Sequence, residues 1–340
     1  METGFKKYNI ALVGATGAVG KVFLDVLEQR GFPVNTFKPL ASARSAGKRI
    51  EYMGQEVEVG ELKKDSFEDI DIAFFSAGGG ISKQFAPYAA DSGAVVIDNS
   101  SAFRMEKGIP LVVPEVNREH IFTHEGIIAN PNCSTIIMAV AIKPIYELSR
   151  IKRIVVSTYQ AVSGAGARAI DELQQQVRAL VCEKKAQVEC EVFPLQIAFN
   201  VIPHIDIFLD NGYTKEEMKM AEETQKIFGD SSIKVTATAV RVPVFTSHSE
   251  SIHIETEKKI TLNQARSALS KGKGLSLKDD FREAVYPTVL DSSGKDAVFI
   301  GRVREDISTA NGISMWVVGD QLRKGAALNA VQIAEELIRG

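Results

Sequence analysis

The sequence has few cysteines, a small net charge and no long apolar run. Its 340 residues contain 3 cysteines, and so small and odd a number does not form a disulfide framework. The 40 Lys and Arg residues against 43 Asp and Glu leave a net charge of −3, so no global positive field attracts nucleic acid. No apolar run approaches the roughly 18 residues of a membrane span, and the start lacks the apolar stretch of a secretory signal. We therefore expect a cytoplasmic protein with no nucleic-acid or membrane partner.

The length and composition indicate a folded protein of two domains. Apolar residues make up 45% and charged residues 24% of the sequence, which is the balance of an ordinary globular protein. Divided by a typical domain size of about 150 residues, the length gives roughly two domains, each large enough to bury its own core.

The first half alternates short apolar strands with helical segments. Strands are predicted at residues 8–13, 72–75, 94–97, 111–113 and 127–129. Apolar residues between positions 19 and 27 fall on one face of a helix that ends near Gly31, and a second helix is predicted at 82–90. This alternation is typical of a doubly wound parallel sheet covered by helices on both faces.

The second half has a different pattern. Residues 154–159 are rich in β-branched side chains and predict a strand, and a long, mainly polar helix is predicted at 167–185. Further strands, predicted at 234–242, 251–255, 297–303 and 314–318, indicate a mixed sheet with helices on one side. The final helix, at 326–338, has an apolar face, and we expect it to return to the first domain.

A glycine-rich turn lies between the first strand and the first helix. Backbone N–H groups of such a turn can approach a pyrophosphate, whose charge is favoured at a helix N-terminus. The spacing is GxxGxxG, a variant of the GxGxxG pattern. The turn predicts a dinucleotide site, and the alternative is a turn that merely packs the helix on the strand. The candidate cofactor-binding residues are Gly14, Thr16, Gly17, Ala18, Val19 and Gly20.

The segment after the second strand is expected to select the cofactor. An acidic residue there would accept the ribose 2′-hydroxyl of NAD, whereas an arginine accommodates the 2′-phosphate of NADP. Residues 41–48 contain no acid but contain Ser42, Arg44, Ser45 and Lys48. This favours NADP, with Ser42, Arg44 and Ser45 as its ligands. The alternative is that Arg44 and Lys48 are ordinary exposed loop residues.

One cysteine has the context of a nucleophile. Cys133 follows an apolar strand and precedes the apolar residues 136–142, so it should begin a helix. A thiol with a pKa near 8.5 is only about 3% thiolate at pH 7, and a helix N-terminus lowers this pKa. An ordinary buried cysteine is the alternative for this residue type.

Six short motifs along the chain carry a resemblance to a known family. They are VGATGAVG at 13–20, SSAFRM at 100–105, NPNCST at 130–135, TYQAVSG at 158–164, RVPV at 241–244 and SHS at 247–249. Together they resemble the aspartate-semialdehyde dehydrogenase family over essentially the whole chain. The resemblance implies that a cysteine attacks the aldehyde, that the adduct gives hydride to NADP, and that phosphate cleaves the thioester. By the same resemblance, the physiological direction of the reaction is the reductive dephosphorylation of L-aspartyl 4-phosphate, which feeds lysine, threonine, methionine and diaminopimelate synthesis.

The resemblance also implies roles for the reacting residues. By it Cys133 is the nucleophile, Gln160 orients the bound intermediate and His248 is the general acid/base. A histidine with a pKa near 6.5 can donate a proton to an oxygen and remove it again, and a glutamine amide can donate a hydrogen bond without titrating. For His248 alone a structural histidine is the alternative, but the flanking serines and Arg241 favour a site.

The substrate carries a carboxylate, an ammonium group and, in one form, a phosphoryl group. By resemblance Arg241 binds the carboxylate, Glu216 the ammonium group, and Arg104 and Lys219 the phosphate. The planar fork of an arginine suits a carboxylate. Glu216 and Lys219 would share a helix face, where a surface ion pair is the alternative, and the adjacent Glu217 leaves the register open.

Further residues are assigned by the same resemblance. Asn132 joins the substrate and phosphate ligands, and Ser163, Gly164 and Gln321 are cofactor contacts. The glycines at 78–80 are also suggested as cofactor contacts and could equally be plain turns.

One pair of histidines and one pair of cysteines are expected to be structural. His120 and His124 have a spacing that metal ligands can have but no apparent third ligand, so we expect no metal. Cys182 and Cys190 fit neither redox nor zinc-ribbon spacing.

We therefore expect a Rossmann-type NADP-binding domain at residues 1–133 and 320–340 and an α+β catalytic and dimerisation domain at 134–319. By resemblance the chain forms a homodimer or a dimer of dimers. The nearest alternative is an N-acetyl-γ-glutamyl-phosphate reductase, whose acetylated substrate has no charge for Glu216 to meet. A non-catalytic NADP-sensing protein is the alternative of another class, against which Cys133, Gln160 and His248 argue.

Overall fold

The computed structural model describes residues 6–340. Its strands are β1 Tyr8–Val13, β2 Val34–Ala41, β3 Arg49–Tyr52, β4 Gln55–Glu58, β5 Gly60–Glu61, β6 Ile72–Phe75, β7 Val95–Asp98, β8 Ile127–Ala129, β9 Ile151–Gln160, β10 Lys234–Arg241, β11 His248–Thr256, β12 Leu275–Leu277, β13 Val298–Glu305 and β14 Gly312–Gly319. Its α-helices are α1 Ala18–Gln29, α2 Gly79–Asp91, α3 Pro114–Asn117, α4 Cys133–Leu148, α5 Ala167–Val181, α6 Lys215–Phe228, α7 Leu262–Lys271, α8 Val289–Ser292 and α9 Leu328–Arg339. Short 3-10 turns occur at Arg118–Thr123 and Val162–Ala165, and a π turn occurs at Arg323–Ala327.

The chain divides into two compact units, and the first is built on a parallel sheet. This unit contains the described residues up to Asn132 together with Ala326–Gly340. Its six strands follow the order β5-β2-β1-β6-β7-β8. In chain order, β2 and β5 are added to one side of β1, and β6, β7 and β8 are then added to its other side. The direction of strand addition therefore reverses between β1 and β6. Ligands of such sheets bind beyond the carboxyl ends of the strands at this reversal, where the glycine-rich turn follows β1.

Both faces of the parallel sheet are covered by helices. Side chains alternate along β1, so Ile10 and Leu12 pack with α1 and α9 on one face, while Ala11 and Val13 pack with α2 on the other. All four side chains are fully buried, and burial of one Ile or Leu side chain contributes about 1.5–3 kcal/mol. The predicted doubly wound sheet is confirmed.

The second unit, Cys133–Gly325, contains a mixed sheet. Its six strands follow the order β10-β9-β11-β14-β13-β12, with β9 parallel to β10 and β11 antiparallel to both β9 and β14. Helix α4 packs on this sheet and also contacts α6 and α7. Along β11, buried Ile252 and Ile254 alternate with half-buried Ser251 and His253, as expected for a strand with one covered face. The predicted mixed sheet is also confirmed.

Two predicted elements are wrong in extent. Residues 111–113 form one parallel bridge, between Leu111 and Ala129, instead of a strand, because Pro110 has no N–H to donate and Pro114 begins α3. The helix predicted at 167–185 ends at Val181, because Lys184 takes a positive φ of 52°, which no helical residue can have.

Two absences hold for the part of the chain that the structure describes. Among residues 6–340, every helix is too short or too polar to span a lipid bilayer. Within the same residues, three or more His, Cys, Asp or Glu side chains nowhere converge as metal ligands do.

Candidate active site

Three strands of the second unit place three candidate residues at one edge of the mixed sheet. Gln160 ends β9, Arg241 ends the parallel strand β10 opposite it, and His248 begins the antiparallel strand β11. Parallel strands end, and an antiparallel strand begins, at the same edge of a sheet. The three residues are 2%, 6% and 0% exposed, respectively. Side chains that are distant in sequence therefore meet in one buried site.

The side-chain amide of Gln160 is oriented by two neighbours. Its Oε1 accepts a hydrogen bond from the Thr158 hydroxyl at 3.0 Å. Its Nε2 donates to Oε1 of Glu216 at 3.2 Å and lies 3.4 Å from Nε2 of His248. Because a carboxylate can only accept, Glu216 determines which end of the amide is the nitrogen.

The imidazole of His248 is held by the main chain. The Ala161 N–H donates to its Nδ1 at 3.1 Å. Burial, together with the positive charge of Arg241, lowers the pKa of His248 well below its ordinary value. Near neutral pH the ring is therefore uncharged.

Arg241 is a buried cation whose position is set by a carbonyl group. Its Nη1 donates to the main-chain oxygen of Ala161 at 2.6 Å. Burial lowers the pKa of Arg241, and the negative charges of Glu216 and Cys133 act in the opposite direction. The guanidinium therefore stays charged and provides the positive pole of the site.

Cys133 is the first residue of α4, as the sequence predicted. The residue is half-buried, and the helix that follows is buried from Ser134 to Ile142. A Cβ atom at Gly325 would lie 2.9 Å from Cβ of Cys133, so only a glycine lets the turn after β14 approach the cysteine this closely. The thiol thus lies at the positive end of a helix dipole, where a thiolate is favoured.

The start of α6 settles the register of its acidic residues. Glu217 belongs to a capping box, in which it accepts the Thr214 N–H at 2.7 Å. Glu216 instead receives Gln160 on one carboxylate oxygen and, at 3.1 Å, Nζ of Lys219 on the other. The structure therefore places Glu216, and not Glu217, in the site.

Lys219 is held by two carboxylates. Its Nζ lies 2.8 Å from Oδ2 of Asp206 and 3.1 Å from Oε2 of Glu216. Burial works against the charge of Lys219, but Glu216 and Asp206 outweigh it and raise its pKa. The ammonium group is therefore charged near neutral pH.

A second group of predicted residues closes around the same site. The amide of Gln321 donates to Oγ of Ser163 and accepts the Ser247 N–H at 2.7 Å. A Cβ atom at Gly164 would lie 3.0 Å from Nη1 of Arg241 and 3.4 Å from Nε2 of His248. Ser247 is fully buried with a positive φ of 70°, a strained conformation of the kind found at functional sites.

In the first unit, the turn after β1 is packed so closely that two of its positions require glycine. Gly14 has a φ of +90°, and a Cβ atom there would lie 2.5 Å from the Ser76 carbonyl oxygen. A Cβ atom at Gly20 would lie 2.4 Å from the Gly14 carbonyl oxygen. Helix α1 begins at Ala18 with no side-chain hydrogen bond to its cap and no acid in its first turn. Its N-terminal N–H groups are therefore suited to an anionic ligand.

The other first-unit candidates occupy loops at the ends of strands. Ser42, Arg44 and Ser45 lie in a turn directly after β2, with Arg44 exposed and Ser45 buried. Arg104 is buried and donates to the main-chain oxygens of Asn130 at 3.0 Å and Asn99 at 2.8 Å. Asn132, also buried, is the last residue of this unit before α4.

The histidines, cysteines and glycine for which the sequence analysis gave a structural interpretation lie in ordinary local surroundings. His120 contacts the Asn117 amide at 3.1 Å, and Nδ1 of His124 accepts the Gly126 N–H at 3.0 Å. Cys182 and Cys190 are exposed and form no disulfide. Gly78, with a φ of +88°, precedes α2.

Three residues of the site were missed in the sequence. Thr158 is two positions before Gln160 and therefore on the same face of β9, so the strand alternation could have found it. Asp206 lies in a loop and reaches Lys219 only through the tertiary fold. Ala161 contributes only through its backbone N–H and C=O groups, so its residue type gives no signal for this role.

Comparison with known proteins identifies the family. The model described as "Semialdehyde dehydrogenase, NAD binding domain" matches residues 9–124, and the one described as "Semialdehyde dehydrogenase, dimerisation domain" matches 142–324. An aspartate-semialdehyde dehydrogenase of Aquifex aeolicus is 56% identical over 98% of both chains. The chain belongs to the aspartate-semialdehyde dehydrogenase family. Members are oxidoreductases, and the matched first domain implies a nicotinamide cofactor.

Two solved structures of the family show the same fold with ligands. Aspartate semialdehyde dehydrogenase II of Vibrio cholerae, complexed with ASA, is 53% identical, has a TM-score of 0.95 and matches over 98% of this chain and 99% of that chain. An aspartate semialdehyde dehydrogenase of Candida albicans with NADP is 25% identical, has a TM-score of 0.75 and matches over 98% of both chains.

Proposed function

We propose that this chain catalyses the reversible, NADP-dependent reductive dephosphorylation of L-aspartyl 4-phosphate to L-aspartate 4-semialdehyde through a thioester on Cys133. The reaction is a step in the synthesis of lysine, threonine, methionine and diaminopimelate. The observation that carries the proposal is the buried group of Gln160, Arg241, His248 and Glu216 in the unit that Cys133 begins.

The charges of this group suit the substrate. Arg241 would pair with the α-carboxylate, for which its fork offers two donors. Glu216, whose carboxylate already faces Gln160 and Lys219, would meet the ammonium group. A buried cation and a buried carboxylate in one site fit an amino acid better than a simple aldehyde.

Cys133 would be the nucleophile and Gln160 and His248 the residues that handle the carbonyl oxygen. A thiolate at the start of α4 attacks the acyl carbon without help from a separate base. His248, the general acid/base of our sequence-based assignment, has its ring edge 3.4 Å from the amide of Gln160, so one oxygen can contact both.

The cofactor would be NADP, bound to the first unit. Gly14, Thr16, Gly17, Ala18, Val19 and Gly20 would hold the diphosphate, and Ser42, Arg44 and Ser45 the 2′-phosphate. Ser163, Gly164 and Gln321 would be further contacts. The Candida albicans relative with NADP supports this choice. When bound, the nicotinamide supplies the hydride.

Phosphate would be held by Arg104, Lys219 and Asn132. Arginine and lysine are the usual phosphate ligands, and the carboxylates of Glu216 and Asp206 raise the pKa of Lys219. Asp206 and Glu216 both pair with Lys219, so bound phosphate would be a third anionic partner of the lysine.

We further propose that residues 1–133 with 320–340 form the NADP-binding domain and that residues 134–319 catalyse and dimerise. The match of residues 142–324 to a dimerisation domain supports a homodimer, and two such dimers would make the dimer of dimers. The cytoplasmic location expected from the sequence stays a prediction.

The nearest alternative substrate is N-acetyl-γ-glutamyl phosphate. Its acetylated nitrogen carries no charge, so Glu216 would gain no second cationic partner beside Lys219. The position of Glu216 against Gln160 therefore favours aspartyl phosphate.

The test is an assay of NADPH formation with aspartate semialdehyde and, separately, N-acetylglutamate semialdehyde, each with and without phosphate. We expect turnover only with aspartate semialdehyde and phosphate. Cys133→Ser should lose several orders of magnitude in kcat while it still binds NADP. No NADPH formation with either substrate would instead support a non-catalytic NADP-binding protein.

A further inference from the structure

Two asparagines follow neighbouring strands of the parallel sheet. Asn99 comes directly after β7 and Asn130 directly after β8. The last residues of these strands, Asp98 and Ala129, are paired in register, and the carboxyl ends of parallel strands lie at the same edge of a sheet. The two side-chain amides therefore meet, with Nδ2 of Asn130 donating to Oδ1 of Asn99 at 2.6 Å.

A third asparagine joins this pair from the C-terminal helix. Asn329 lies in the first turn of α9, and its Nδ2 donates to Oδ1 of Asn130 at 2.6 Å and to the Val112 carbonyl oxygen at 2.9 Å. Asn130 and Asn329 are 1% and 0% exposed, so water does not compete for these hydrogen bonds. The three amides form one asparagine chain, which runs from Asn329 through Asn130 to Asn99.

Main-chain carbonyl groups fix the direction of the asparagine chain. A carbonyl oxygen can only accept, so the side-chain atom of Asn329 that faces Val112 is a nitrogen, and so is the atom of Asn130 that faces the Ala326 oxygen at 3.3 Å. Each amide therefore donates toward Asn99, which presents its oxygen to Asn130. Nδ2 of Asn99 points away and is buried, and in the described part of the chain it has no hydrogen-bond partner.

The unpaired nitrogen of Asn99 has an energetic cost. A buried N–H group without an acceptor lowers the free energy of unfolding, and native proteins contain few such groups. The nitrogen is unpaired because Asn130 determines how the amide of Asn99 is turned. A contact that is kept at the expense of stability points to a functional use.

The same two asparagines hold Arg104 through their main-chain oxygens. Nε of Arg104 donates to the carbonyl oxygen of Asn130 at 3.0 Å, and its Nη2 donates to that of Asn99 at 2.8 Å. Because the guanidinium is planar, two carbonyl groups are enough to fix its plane and its direction. The hydrogen bond between the two side chains restrains the separation of these carbonyl groups, and with it the direction of Arg104.

We propose that the asparagine chain positions Arg104 for phosphate, and that Asn329, at its far end, is a positioning residue that acts through Arg104. The proposal rests on the proposed function, in which Arg104 is a phosphate ligand. A guanidinium that is held in place before phosphate arrives loses less conformational entropy on binding. Without the Asn329 amide, Asn130 loses the donor on its Oδ1, and the carbonyl groups that hold Arg104 are restrained less.

The first test compares Asn329→Ala with Gln332→Ala in the direction that consumes phosphate. Gln332 lies one turn further along α9 and donates to Glu115 at 3.2 Å, outside the asparagine chain. For Asn329→Ala we expect KM for phosphate to rise by about 3–10-fold, as for the loss of one or two neutral hydrogen bonds, with NADP affinity unchanged. Gln332→Ala should keep the wild-type KM. An unchanged KM in Asn329→Ala, or an equal rise in both variants, would overturn the proposal.

The second test asks whether Asn329 acts through Arg104. Arg104→Lys keeps the positive charge but has no planar fork to bridge the two carbonyl groups. If the asparagine chain acts only through this fork, adding Asn329→Ala to Arg104→Lys should change KM for phosphate by less than about twofold. The full 3–10-fold rise in the Arg104→Lys background would show that the two residues act independently, which contradicts the proposal.

A third measurement does not depend on turnover. The 15N NMR signal of the Arg104 Nε–H group, identified by its loss in Arg104→Lys, reports how well this group is held. We expect it to exchange with water at least about tenfold faster in Asn329→Ala than in wild type and Gln332→Ala; equal rates would overturn the proposal. If the wild-type protein does not turn over aspartate semialdehyde, the proposed function fails, and the exchange rate still reports on Arg104.

Discussion

The Arg241 guanidinium donates a hydrogen bond of 2.6 Å to the main-chain carbonyl of Ala161. The N–H of the same alanine holds His248 at 3.1 Å. One residue of the turn after β9 thus positions both the cation and the imidazole. Because both contacts are made by the backbone, they are in place before substrate binds, which reduces the entropy lost on binding.

Arg241→Lys should weaken substrate binding. A lysine keeps the charge but loses the planar fork and cannot contact Ala161 and a carboxylate in the same geometry. We expect KM for aspartate semialdehyde to rise by about 10–100-fold, since hydrogen bonds to charged groups contribute about 1.5–3 kcal/mol. Initial-rate kinetics measure it, with NADP affinity as the control. An unchanged KM would remove Arg241 from the carboxylate site.

The adjacent residues Glu216 and Glu217 offer a matched pair of variants. Glu216→Gln removes the carboxylate that faces Gln160 and Lys219, so we expect kcat/KM to fall by about 10–100-fold. Glu217 lies outside the site, and its two carboxylate oxygens accept the N–H groups of Thr214 and Ala239. In Glu217→Gln only one acceptor oxygen remains for these two N–H groups. We expect it to keep kcat/KM near the wild-type value and to lower the free energy of unfolding by about 1–3 kcal/mol.

Kinetics and urea denaturation on both variants separate these effects. The loss of kcat/KM should occur in Glu216→Gln, and the loss of unfolding free energy should occur in Glu217→Gln. A kcat/KM loss of the same size for Glu217→Gln would show that the register of α6 assigned here is wrong.

The sequence predicts what local patterns encode. The strands at 8–13, 72–75 and 127–129 coincide with β1, β6 and β8, because buried parallel strands are continuous apolar runs. Cys133 begins a helix as expected, because a strand, a polar turn and an apolar run follow one another in the sequence. These signals are all contained in a few neighbouring residues.

The rest depends on tertiary contacts that no local pattern contains. The Thr214–Glu217 spacing is a local capping-box pattern that distinguishes Glu217 from Glu216, but the contact of Glu216 with Gln160 depends on the tertiary fold. Asp206 reaches Lys219 from the loop before α6, across a separation of 13 residues. Residues 111–113 have the composition of a strand, but the flanking prolines reduce them to a single bridge.

Arg44→Asp should change cofactor preference. Arg44 is exposed in the turn after β2, where it would meet the 2′-phosphate of NADP. Reversal of its charge should raise Kd for NADP by about 10–100-fold and leave Kd for NAD nearly unchanged, since only NADP carries that phosphate. Fluorescence titration with both dinucleotides measures it. Equal effects on the two would remove Arg44 from the phosphate site.

Asp230→Asn should destabilise the second unit in a pH-dependent way. The Asp230 carboxylate is 5% exposed and accepts two hydrogen bonds of 2.7 Å from Arg150 and one of 3.0 Å from Tyr146. Arg150, more than any other neighbour, holds the pKa of Asp230 well below its usual range. We expect a loss of about 1–3 kcal/mol in the free energy of unfolding at pH 7.

The sign of the pH dependence follows from the lowered pKa. A carboxylate whose folded pKa is depressed stabilises the protein above its unfolded pKa, near 3.9, and this contribution is lost as the pH falls toward the folded pKa. The difference between wild type and Asp230→Asn should therefore be constant above about pH 5 and shrink below about pH 4. Urea denaturation across this range measures it. A difference that stays the same at low pH would show that the asparagine acts through packing and not through the lost charge.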